Sequence, residues 1–370
     1  MKRCICFFLL LALLPFSRMT AVEAFAEESL SLSAECAVLY DAENRRPLYE
    51  KNAGKRHPMA STTKIMTALV ALEAMPLDTV ITVPREATGV EGSSVYLKEG
   101  ERYTLEALLY ALLLQSANDA AEVIAYAVSG GILPFAARMN ERATELGLTD
   151  TQFENPHGLD GDRHFTTATE LATIAAEAME NPDFLKIVST RRYVFTSVDG
   201  ENPRTLINHN KMLVLYDGTV GVKTGYTKKC GRCLVTAAKR DGLMLISVTL
   251  DAPNDWSDHE ALLDYGFEHY ESRLVAEAGA LSLSLPLFNT NVAAKIVNRD
   301  EIRLVLPKGS ASPAPIFEVF PNPVAPIRSG AIAGSVSFPV DGGSTVTSPL
   351  IFSENIPIQN QRKGWFGFGR

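Results

Sequence analysis

A serine and a lysine stand three positions apart in the segment Ser61-Thr62-Thr63-Lys64, at the predicted start of a helix. Side chains at i and i+3 share one helix face, so the lysine amine can reach the serine hydroxyl. A neutral lysine can take the proton of that hydroxyl and make it a nucleophile. An exposed lysine is charged, with a pKa of about 10.4, so Lys64 must be desolvated or lie near another cation. The helix N-terminus would favour an oxyanion beside Ser61.

Two further short motifs follow along the chain. Ser116-Ala117-Asn118 falls in a predicted turn between two helices, where short polar side chains can point into a cleft; helix capping explains the same residues. The second motif, Lys223-Thr224-Gly225, ends a predicted strand. Its lysine offers a cation and its threonine a hydroxyl to a carboxylate, and its glycine lets a ligand backbone approach closely. Each motif alone is compatible with an ordinary cap or strand end, so their combination carries the inference.

The three motifs in this order resemble the set S-x-x-K, S-D-N and K-T-G of penicillin-binding proteins and class A β-lactamases, with S-A-N here in place of S-D-N. The likeness covers about residues 30–270. Three longer segments are similar to the low-molecular-mass D-alanyl-D-alanine carboxypeptidases, the serine peptidases of penicillin-binding protein 5 type: M-A-S-T-T-K-I-M-T at 59–67, N-P-H-G-L at 155–159 and G-V-K-T-G-Y-T at 221–227. The C-terminal part fits the C-terminal half of the same family.

This resemblance implies a substrate and a role for each catalytic residue. The substrate is a peptidoglycan stem peptide that ends in D-Ala-D-Ala. Ser61 attacks the penultimate D-Ala carbonyl with Lys64 as general base, and Ser116 passes the proton to the departing D-Ala amine. Asn118 holds the substrate amide and Lys64. Because β-lactams mimic the dipeptide, we expect them to acylate Ser61 stably.

The resemblance also implies how the substrate is held. Lys223 and Thr224 bind its terminal carboxylate, and the charge of Lys223 lowers the pKa of Lys64. Backbone N–H groups of Ser61 and Tyr226 form the oxyanion hole. This chemistry implies neither a metal nor another cofactor.

The elements that must position these residues are typical of an α/β (α+β) protein. The resemblance implies a serine β-lactamase/transpeptidase-like catalytic domain over residues 27–272, with an antiparallel sheet flanked by helices and a helical subdomain. Strict alternation of apolar and polar residues then predicts a small all-β domain over residues 273–354. Apolar residues at helical spacing predict helices at about residues 61–75, 105–113, 119–129, 167–179 and 256–270. Strand patterns at residues 192–196, 219–223, 233–238 and 243–250 predict one antiparallel sheet, and two short strands flank the polar turn 41–46.

The first 26 residues predict a secretory signal peptide. Lys2 and Arg3 precede an apolar run, and Ala24-Phe25-Ala26 supplies the small residues of a cleavage site. An uncleaved anchor is the alternative, but the run is shorter than the about 20 residues that span a bilayer. We therefore expect an exported protein that acts outside the cytoplasm, at the outer face of the cytoplasmic membrane.

The tail, residues 355–370, mixes aromatic residues with cations in the stretch Q-R-K-G-W-F-G-F-G-R. Such a segment can bind at a membrane surface, which makes peripheral membrane contact one hypothesis. Its glycines disfavour a helix, so a frayed exposed end is the other.

Composition and charge argue against several other classes of protein. The chain of 370 residues is 46% hydrophobic and 21% charged, and its net charge of -8 offers no cationic excess to nucleic acid.

His259 and Asp264 do not share a helix face, so we expect a surface helix there and no zinc site. His57 is expected to face solvent. Cys230 and Cys233 are expected to be ordinary small side chains, with an incidental disulfide as the alternative.

Two other functions remain open on the sequence alone. One is a D,D-endopeptidase or a β-lactamase, but enzymes of those kinds usually lack the C-terminal β domain, and no deacylating glutamate motif is evident. The other is a non-catalytic β-lactam receptor. Such receptors usually carry transmembrane signalling segments, and we find none beyond the signal peptide. The third-position diamino acid of the stem peptide is also left open.

Overall fold

The computed structural model describes residues 30–200, 203–288, 292–340 and 343–358. The predicted signal peptide and residues 359–370 of the predicted tail lie outside the described residues. The strands are β1 Cys36–Asp41, β2 Arg46–Lys51, β3 Val80–Thr82, β4 Arg102–Thr104, β5 Arg192–Phe195, β6 Arg204–Ile207, β7 Thr219–Thr227, β8 Gly231–Arg240, β9 Leu243–Leu250, β10 Tyr270–Ala276, β11 Ser282–Pro286, β12 Ala293–Asn298, β13 Ile302–Pro307, β14 Ile316–Val319, β15 Ile332–Pro339 and β16 Thr345–Phe352. The α-helices are α1 Lys64–Ala74, α2 Leu105–Leu114, α3 Asn118–Ser129, α4 Ile132–Glu145, α5 Ala168–Met179, α6 Pro182–Ser189, α7 Met212–Leu215 and α8 Asp255–His269.

The central sheet has five antiparallel strands in the order β2-β1-β9-β8-β7. Its β1 strand is buried along its whole length, and α5 and α8 both pack against β9. The sequence patterns at residues 219–223, 233–238 and 243–250 all fall in strands of this sheet, as predicted. Because β7 lies at the edge of this sheet, the strand that carries the K-T-G motif pairs with a strand on one side only among the described residues.

Residues 192–196 do not join the central sheet, so that part of the prediction was wrong. Their strand, β5, pairs with β6 in a separate hairpin. Phe195 stacks on Tyr103 with ring centroids 4.6 Å apart, and Tyr193 stacks on Tyr110 at 3.7 Å. Because this stacking buries aromatic surface against β4 and α2, the hairpin packs on the helical layer instead.

Side-chain caps start two of the predicted helices. The Thr104 hydroxyl accepts a hydrogen bond from the Ala107 amide at 3.2 Å and caps α2, and Thr167 caps α5 through the Glu170 amide at 3.1 Å. The apolar α2 is buried at almost every position and packs among α1, α3 and α6. In the described ranges, no single helix is long and apolar enough to cross a membrane; α3 and α4 pass together by length and composition only and meet at an 81° bend.

The C-terminal strands form a second sheet with a hydrophobic cluster of its own. Its order is β11-β12-β16-β15-β14, and the alternating residues predicted after position 273 place their apolar side chains in this cluster. A separate two-stranded ribbon joins β10 to β13. Because β10 begins at Tyr270, this ribbon crosses the boundary predicted at residue 272.

The turn between β1 and β2 makes direct hydrogen bonds to β13. Asn44 donates from Nδ2 to the Arg303 carbonyl at 3.1 Å and accepts from the Val305 amide at 2.7 Å. The buried Arg46 guanidinium donates to the Val305 carbonyl at 2.7 Å. The turn predicted at residues 41–46 therefore binds the C-terminal ribbon through backbone groups.

Candidate active site

Ser61 lies in a tight turn that leads into α1. A 3₁₀ turn spans Ala60–Thr63, and the α-helix begins at Lys64, three residues later than the predicted start. The hydroxyl of Thr62 donates to the Met59 carbonyl at 2.6 Å, and that of Thr63 donates to the Ala60 carbonyl at 2.8 Å. These bonds help to fix the turn, because each hydroxyl ties its residue to the carbonyl three positions earlier.

The Lys64 amine is buried and surrounded by oxygen atoms. Its Nζ lies 2.9 Å from Ser61 Oγ, 2.7 Å from Asn118 Oδ1 and 2.5 Å from the carbonyl oxygen of His157. The amide oxygen and the carbonyl can only accept hydrogen bonds. A neutral amine has two N–H donors for these acceptors, and its lone pair then faces the Ser61 hydroxyl. The geometry thus suits proton transfer from Ser61 to Lys64.

The electrostatic surroundings of Lys64 favour this neutral form. Burial lowers the pKa of Lys64 well below its ordinary value, and the positive charge of Lys223 lowers the pKa further, while Asp119 acts in the opposite direction. The predicted cation across the groove is therefore present. Asp119 has a structural task as well, since its carboxylate accepts from the amides of Val95 and Leu97.

Ser116 lies in the turn between α2 and α3. Its backbone is in the left-handed region with φ 59°, and its buried Oγ has no hydrogen-bond partner among the described residues. Asn118 follows at the start of α3 and donates from Nδ2 to the Glu91 carbonyl at 2.6 Å. The S-A-N motif thus places one hydroxyl in the cavity and uses its amide to join Lys64 to a neighbouring loop.

The K-T-G motif lies on the edge strand β7. Lys223 is 1% exposed, and its Nζ donates to the Thr224 carbonyl at 2.8 Å. Burial lowers the pKa of Lys223 to about 7. Gly225 lies against the turn that carries Ser61, because a Cβ atom there would lie 3.2 Å from the nitrogens of Ser61 and Thr62. The close approach of a ligand backbone to Gly225 stays a prediction.

The loop with the sequence N-P-H-G-L, at residues 155–159, contacts the Lys64 amine through a backbone carbonyl. Asn155 Oδ1 accepts from the amides of His157 and Gly158, which turns the His157 carbonyl toward Lys64. Gly158 has φ 89°, and a Cβ atom there would lie 1.9 Å from the Ala60 carbonyl oxygen. His157 therefore supports the site through its backbone.

A cavity of about 380 Å³ opens over Ser61. It brings together four predicted site residues besides the nucleophile, namely Ser116, Thr224, Gly225 and Tyr226. Six further lining residues were not predicted from the sequence and come from four separate segments: Ser93, His209, Lys211, Arg232, Asp255 and Trp256. No motif links these segments, so only the fold could identify them.

Two histidines lie elsewhere than predicted. His57 is buried instead of facing solvent, and His259 is fully buried instead of lying on a surface helix. The His259 ring contacts the hydroxyls of Ser247 and Thr249 at 2.7 and 3.0 Å, so two hydroxyls compensate for the burial of its polar atoms. Burial lowers the pKa of His259 to about 3, which keeps the ring neutral.

One cluster could hold a cation, although the sequence predicted no metal site. Glu35, His57 and Asp251 bring ligand atoms within 4.8 Å of one another. Glu35 is hydrogen-bonded to the Lys55 ammonium, which already compensates its charge. The absence of a metal site stays a prediction.

Cys230 and Cys233 are free thiols, so the alternative of a disulfide is not realised here. Their Sγ atoms lie 3.9 Å apart, and both side chains are buried. The hydrogen bond between them lowers the pKa of Cys230 and raises that of Cys233.

The chain is similar to known proteins in both sequence and fold. A family model described as D-alanyl-D-alanine carboxypeptidase (peptidase S11) matches residues 23–254. D-alanyl-D-alanine carboxypeptidase DacF of Bacillus subtilis (strain 168) is 29% identical over 366 residues, which cover 91% of this chain and 90% of that protein. DacC of Escherichia coli (strain K12) is 30% identical over 369 residues, covering 94% and 90%. Penicillin binding protein 5 from Haemophilus influenzae has a similar crystal structure, with a TM-score of 0.76, 25% identity and coverage of 89% and 99%.

These matches extend well beyond the motifs, to the central sheet, the helices and the C-terminal strands. They confirm the predicted family and the predicted fold class. The chain belongs to the D-alanyl-D-alanine carboxypeptidase family, the serine peptidase family S11.

Proposed function

We propose that the protein is a serine-type D-alanyl-D-alanine carboxypeptidase that removes the terminal D-alanine from peptidoglycan stem peptides through an acyl-enzyme. One observation carries this function. The buried Lys64 amine lies 2.9 Å from the Ser61 hydroxyl, and its two other partners are both acceptors. A lysine held in this way is a base for a serine nucleophile.

Acylation begins with the transfer of the Ser61 proton to Lys64 Nζ. Ser61 Oγ then bonds to the carbonyl carbon of the penultimate D-Ala, and the carbonyl oxygen becomes an oxyanion. The N–H groups of Ser61 and Tyr226 are the donors that would stabilise this charge. Tyr226 lines the cavity beside Ser61, which supports its place in the oxyanion hole.

The substrate carboxylate is expected to pair with Lys223 and the Thr224 hydroxyl. This pairing compensates the buried Lys223 charge, so binding restores the protonated form of an amine whose pKa is otherwise lowered to about 7. It also reduces the repulsion that Lys64 meets when it accepts the proton of Ser61. Substrate binding and base catalysis therefore support each other.

The leaving amine needs a proton when its C–N bond breaks. Lys64 carries the proton taken from Ser61, and the hydroxyl of Ser116 is available in the same cavity, without a protein partner in the described part of the chain. Ser116 can accept a proton from Lys64 while it donates its own to the departing D-Ala. Water then attacks the ester carbonyl, with Lys64 again as the base, and regenerates Ser61.

Release of D-Ala from diacetyl-L-Lys-D-Ala-D-Ala by the purified protein tests this function. We expect many equivalents of D-Ala per enzyme, inhibition by penicillin and no release by Ser61→Ala. At most one equivalent would favour a β-lactam receptor. Repeated hydrolysis of a β-lactam without D-Ala release would favour a β-lactamase, and cleavage of cross-linked stem peptides alone would favour an endopeptidase.

Covalent labelling by a fluorescent penicillin tests the base. Lys64→Arg should lower the labelling rate at least about 100-fold, because a guanidinium stays protonated and cannot act as a base. Lys228→Arg, at an exposed position in the turn after the K-T-G strand, is the matched control and should label at the wild-type rate. Equal labelling by the two variants would contradict the role of Lys64.

We further propose that the protein is exported and works at the outer face of the cytoplasmic membrane. The charged start, apolar run and A-F-A site of the first 26 residues support export, and the basic-aromatic tail supports peripheral membrane contact. Fractionation of cells that express the full chain or a form without residues 359–370 tests the tail. Membrane association of both forms would contradict its role as an anchor.

A further inference from the structure

One wall of the cavity carries an arginine that is held in place from two sides. The Arg232 guanidinium donates to Asp255 Oδ1 at 2.9 Å and lies 5.7 Å from the centre of the Trp256 ring. Asp255 is almost fully buried and also accepts from the Trp256 amide at 3.0 Å. Since the Arg232 side chain is 43% exposed, its remaining N–H donors are open to the cavity.

The sheet places this guanidinium next to Tyr226, the residue of β7 whose N–H group is the proposed oxyanion donor. Arg232 on β8 is the direct partner of Tyr226 on β7, and directly paired residues project to the same face of a sheet. Thr224 shares that face with Tyr226, because side chains alternate along a strand. The order along the wall is therefore Thr224 first, then Tyr226 with Arg232 beside it.

This order fixes which part of the substrate Arg232 would meet, if the proposed function holds. The terminal carboxylate lies at Lys223 and Thr224, and the oxygen of the scissile carbonyl lies at the Tyr226 amide. An extended peptide that follows β7 then continues past Tyr226 with the residue before D-Ala-D-Ala. The side chain of that residue comes beside Arg232.

The charged residues that line the cavity favour an anionic group on the ligand. The exposed charged residues that line the cavity are Lys211 and Arg232, both cations, and the lining carboxylate of Asp255 is buried and already bonded to Arg232. An ammonium group beside Arg232 would meet a cation, with Lys211 in the same cavity, and the one carboxylate among the described residues that line the cavity is already bonded. A carboxylate would gain charge-assisted hydrogen bonds from a guanidinium that is already fixed.

We infer that Arg232 is a specificity-determining residue that binds a carboxylate on the side chain of the residue preceding D-Ala-D-Ala. The inference rests on the proposed function and deepens it. It assigns the enzyme to stem peptides whose third-position diamino acid retains a free side-chain carboxylate, rather than to those with lysine.

Three peptides that differ only in the charge of this side chain test the inference. They are acetyl-L-aminoadipyl-D-Ala-D-Ala with a carboxylate, acetyl-L-Lys-D-Ala-D-Ala with an ammonium group, and diacetyl-L-Lys-D-Ala-D-Ala with neither. For the wild type, we expect kcat/KM to be highest for the carboxylate peptide. In Arg232→Gln, the ratio of kcat/KM for the carboxylate peptide to that for the neutral peptide should fall about tenfold.

Arg299→Gln is the matched control, since Arg299 is also exposed and paired with an aspartate, Asp300, but belongs to the C-terminal region. It should keep the wild-type ratio. An unchanged ratio in Arg232→Gln, or a wild type that prefers the ammonium peptide, would overturn the inference.

If the wild type releases no D-Ala from any peptide, the proposed function itself is wrong. The subsite is then tested by the rates at which carbenicillin and benzylpenicillin acylate the protein, because the two compounds differ by one side-chain carboxylate. If the ratio of these two rates is the same in the wild type and in Arg232→Gln, the inference is overturned.

Discussion

Gly225 of the edge strand faces the backbone of the nucleophile so closely that one added methyl group would lie 3.2 Å from the Ser61 nitrogen. The same methyl group would lie 3.2 Å from the Met59 oxygen and from the Thr62 nitrogen. The K-T-G strand and the turn that carries Ser61 are thus in direct contact. The position of Ser61 relative to β7 depends on this contact.

Gly225→Ala should therefore reduce catalysis more than stability. The methyl group would displace the Ser61 turn by a few tenths of an ångström, and catalytic geometry is sensitive to such shifts, so we expect kcat to fall at least about tenfold. The melting temperature should change little. Gly54→Ala, where a Cβ atom has no neighbour within 4 Å, should leave kcat unaltered. A kcat for Gly225→Ala within twofold of the control would refute this account.

Gly158→Ala should act mainly on stability. A Cβ atom at Gly158 would overlap the Ala60 carbonyl oxygen at 1.9 Å, and φ is 89°, so the substitution combines a clash with backbone strain. We expect a loss of about 3 kcal/mol in the free energy of unfolding, measured by urea denaturation. Gly89→Ala has similar strain at φ 72° without any neighbour and should cost about 1 kcal/mol. Equal losses in both variants would mean that the clash is relieved.

Ser116→Ala should separate catalysis from folding. The hydroxyl has no partner among the described residues, so its removal breaks no hydrogen bond within them, and unfolding should change by no more than about 0.5 kcal/mol. Turnover of the D-Ala-D-Ala peptide should fall about 100-fold if Ser116 moves the proton. Steady-state kinetics and thermal melting of the same preparation measure both. Wild-type kcat in Ser116→Ala would exclude the relay.

The pH dependence of kcat/KM should report the two buried lysines. Lys64 must be neutral to act as a base, whereas Lys223 must be protonated to bind a carboxylate. Since the pKa of Lys223 is lowered to about 7, this amine loses its proton as pH rises through that value, and kcat/KM should decline above it. In Lys223→Arg the cation persists at high pH, so the decline should move upward or disappear. An identical decline in both proteins would assign it to another group.

Local signals in the sequence predicted much of the site because its key spacings are short. The three-residue step from Ser61 to Lys64 carries the essential contact, and the threonine caps of α2 and α5 mark helix starts through bonds to neighbouring amides. The same reasoning failed for residues 192–196. A strand pattern shows that a segment is extended but does not identify its partner strand, and here aromatic stacking decided the partner.

The cavity wall could not be predicted for a related reason. Arg232 and Asp255 meet across 23 positions, and the contact exists only because β8 and α8 bring them together. The burial of His259 was equally hidden, because Ser247 and Thr249 on a neighbouring strand supply its partners. Polar residues that interact through tertiary contacts give no periodic signal in the sequence.

The bonds from Asn44 and Arg46 to β13 have a mechanical consequence. The ribbon β10–β13 comes directly after the last helix of the catalytic region, and the first hairpin of the chain grips it through two backbone groups of Val305. The hydrophobic cluster of the catalytic region and that of the C-terminal strands are connected along the chain where α8 passes into β10. The bonds from Asn44 and Arg46 add a second connection that is distant from this point in sequence. A displacement of β13 would therefore be transmitted to β1 and β2 of the central sheet through these bonds, and not only along the chain through α8.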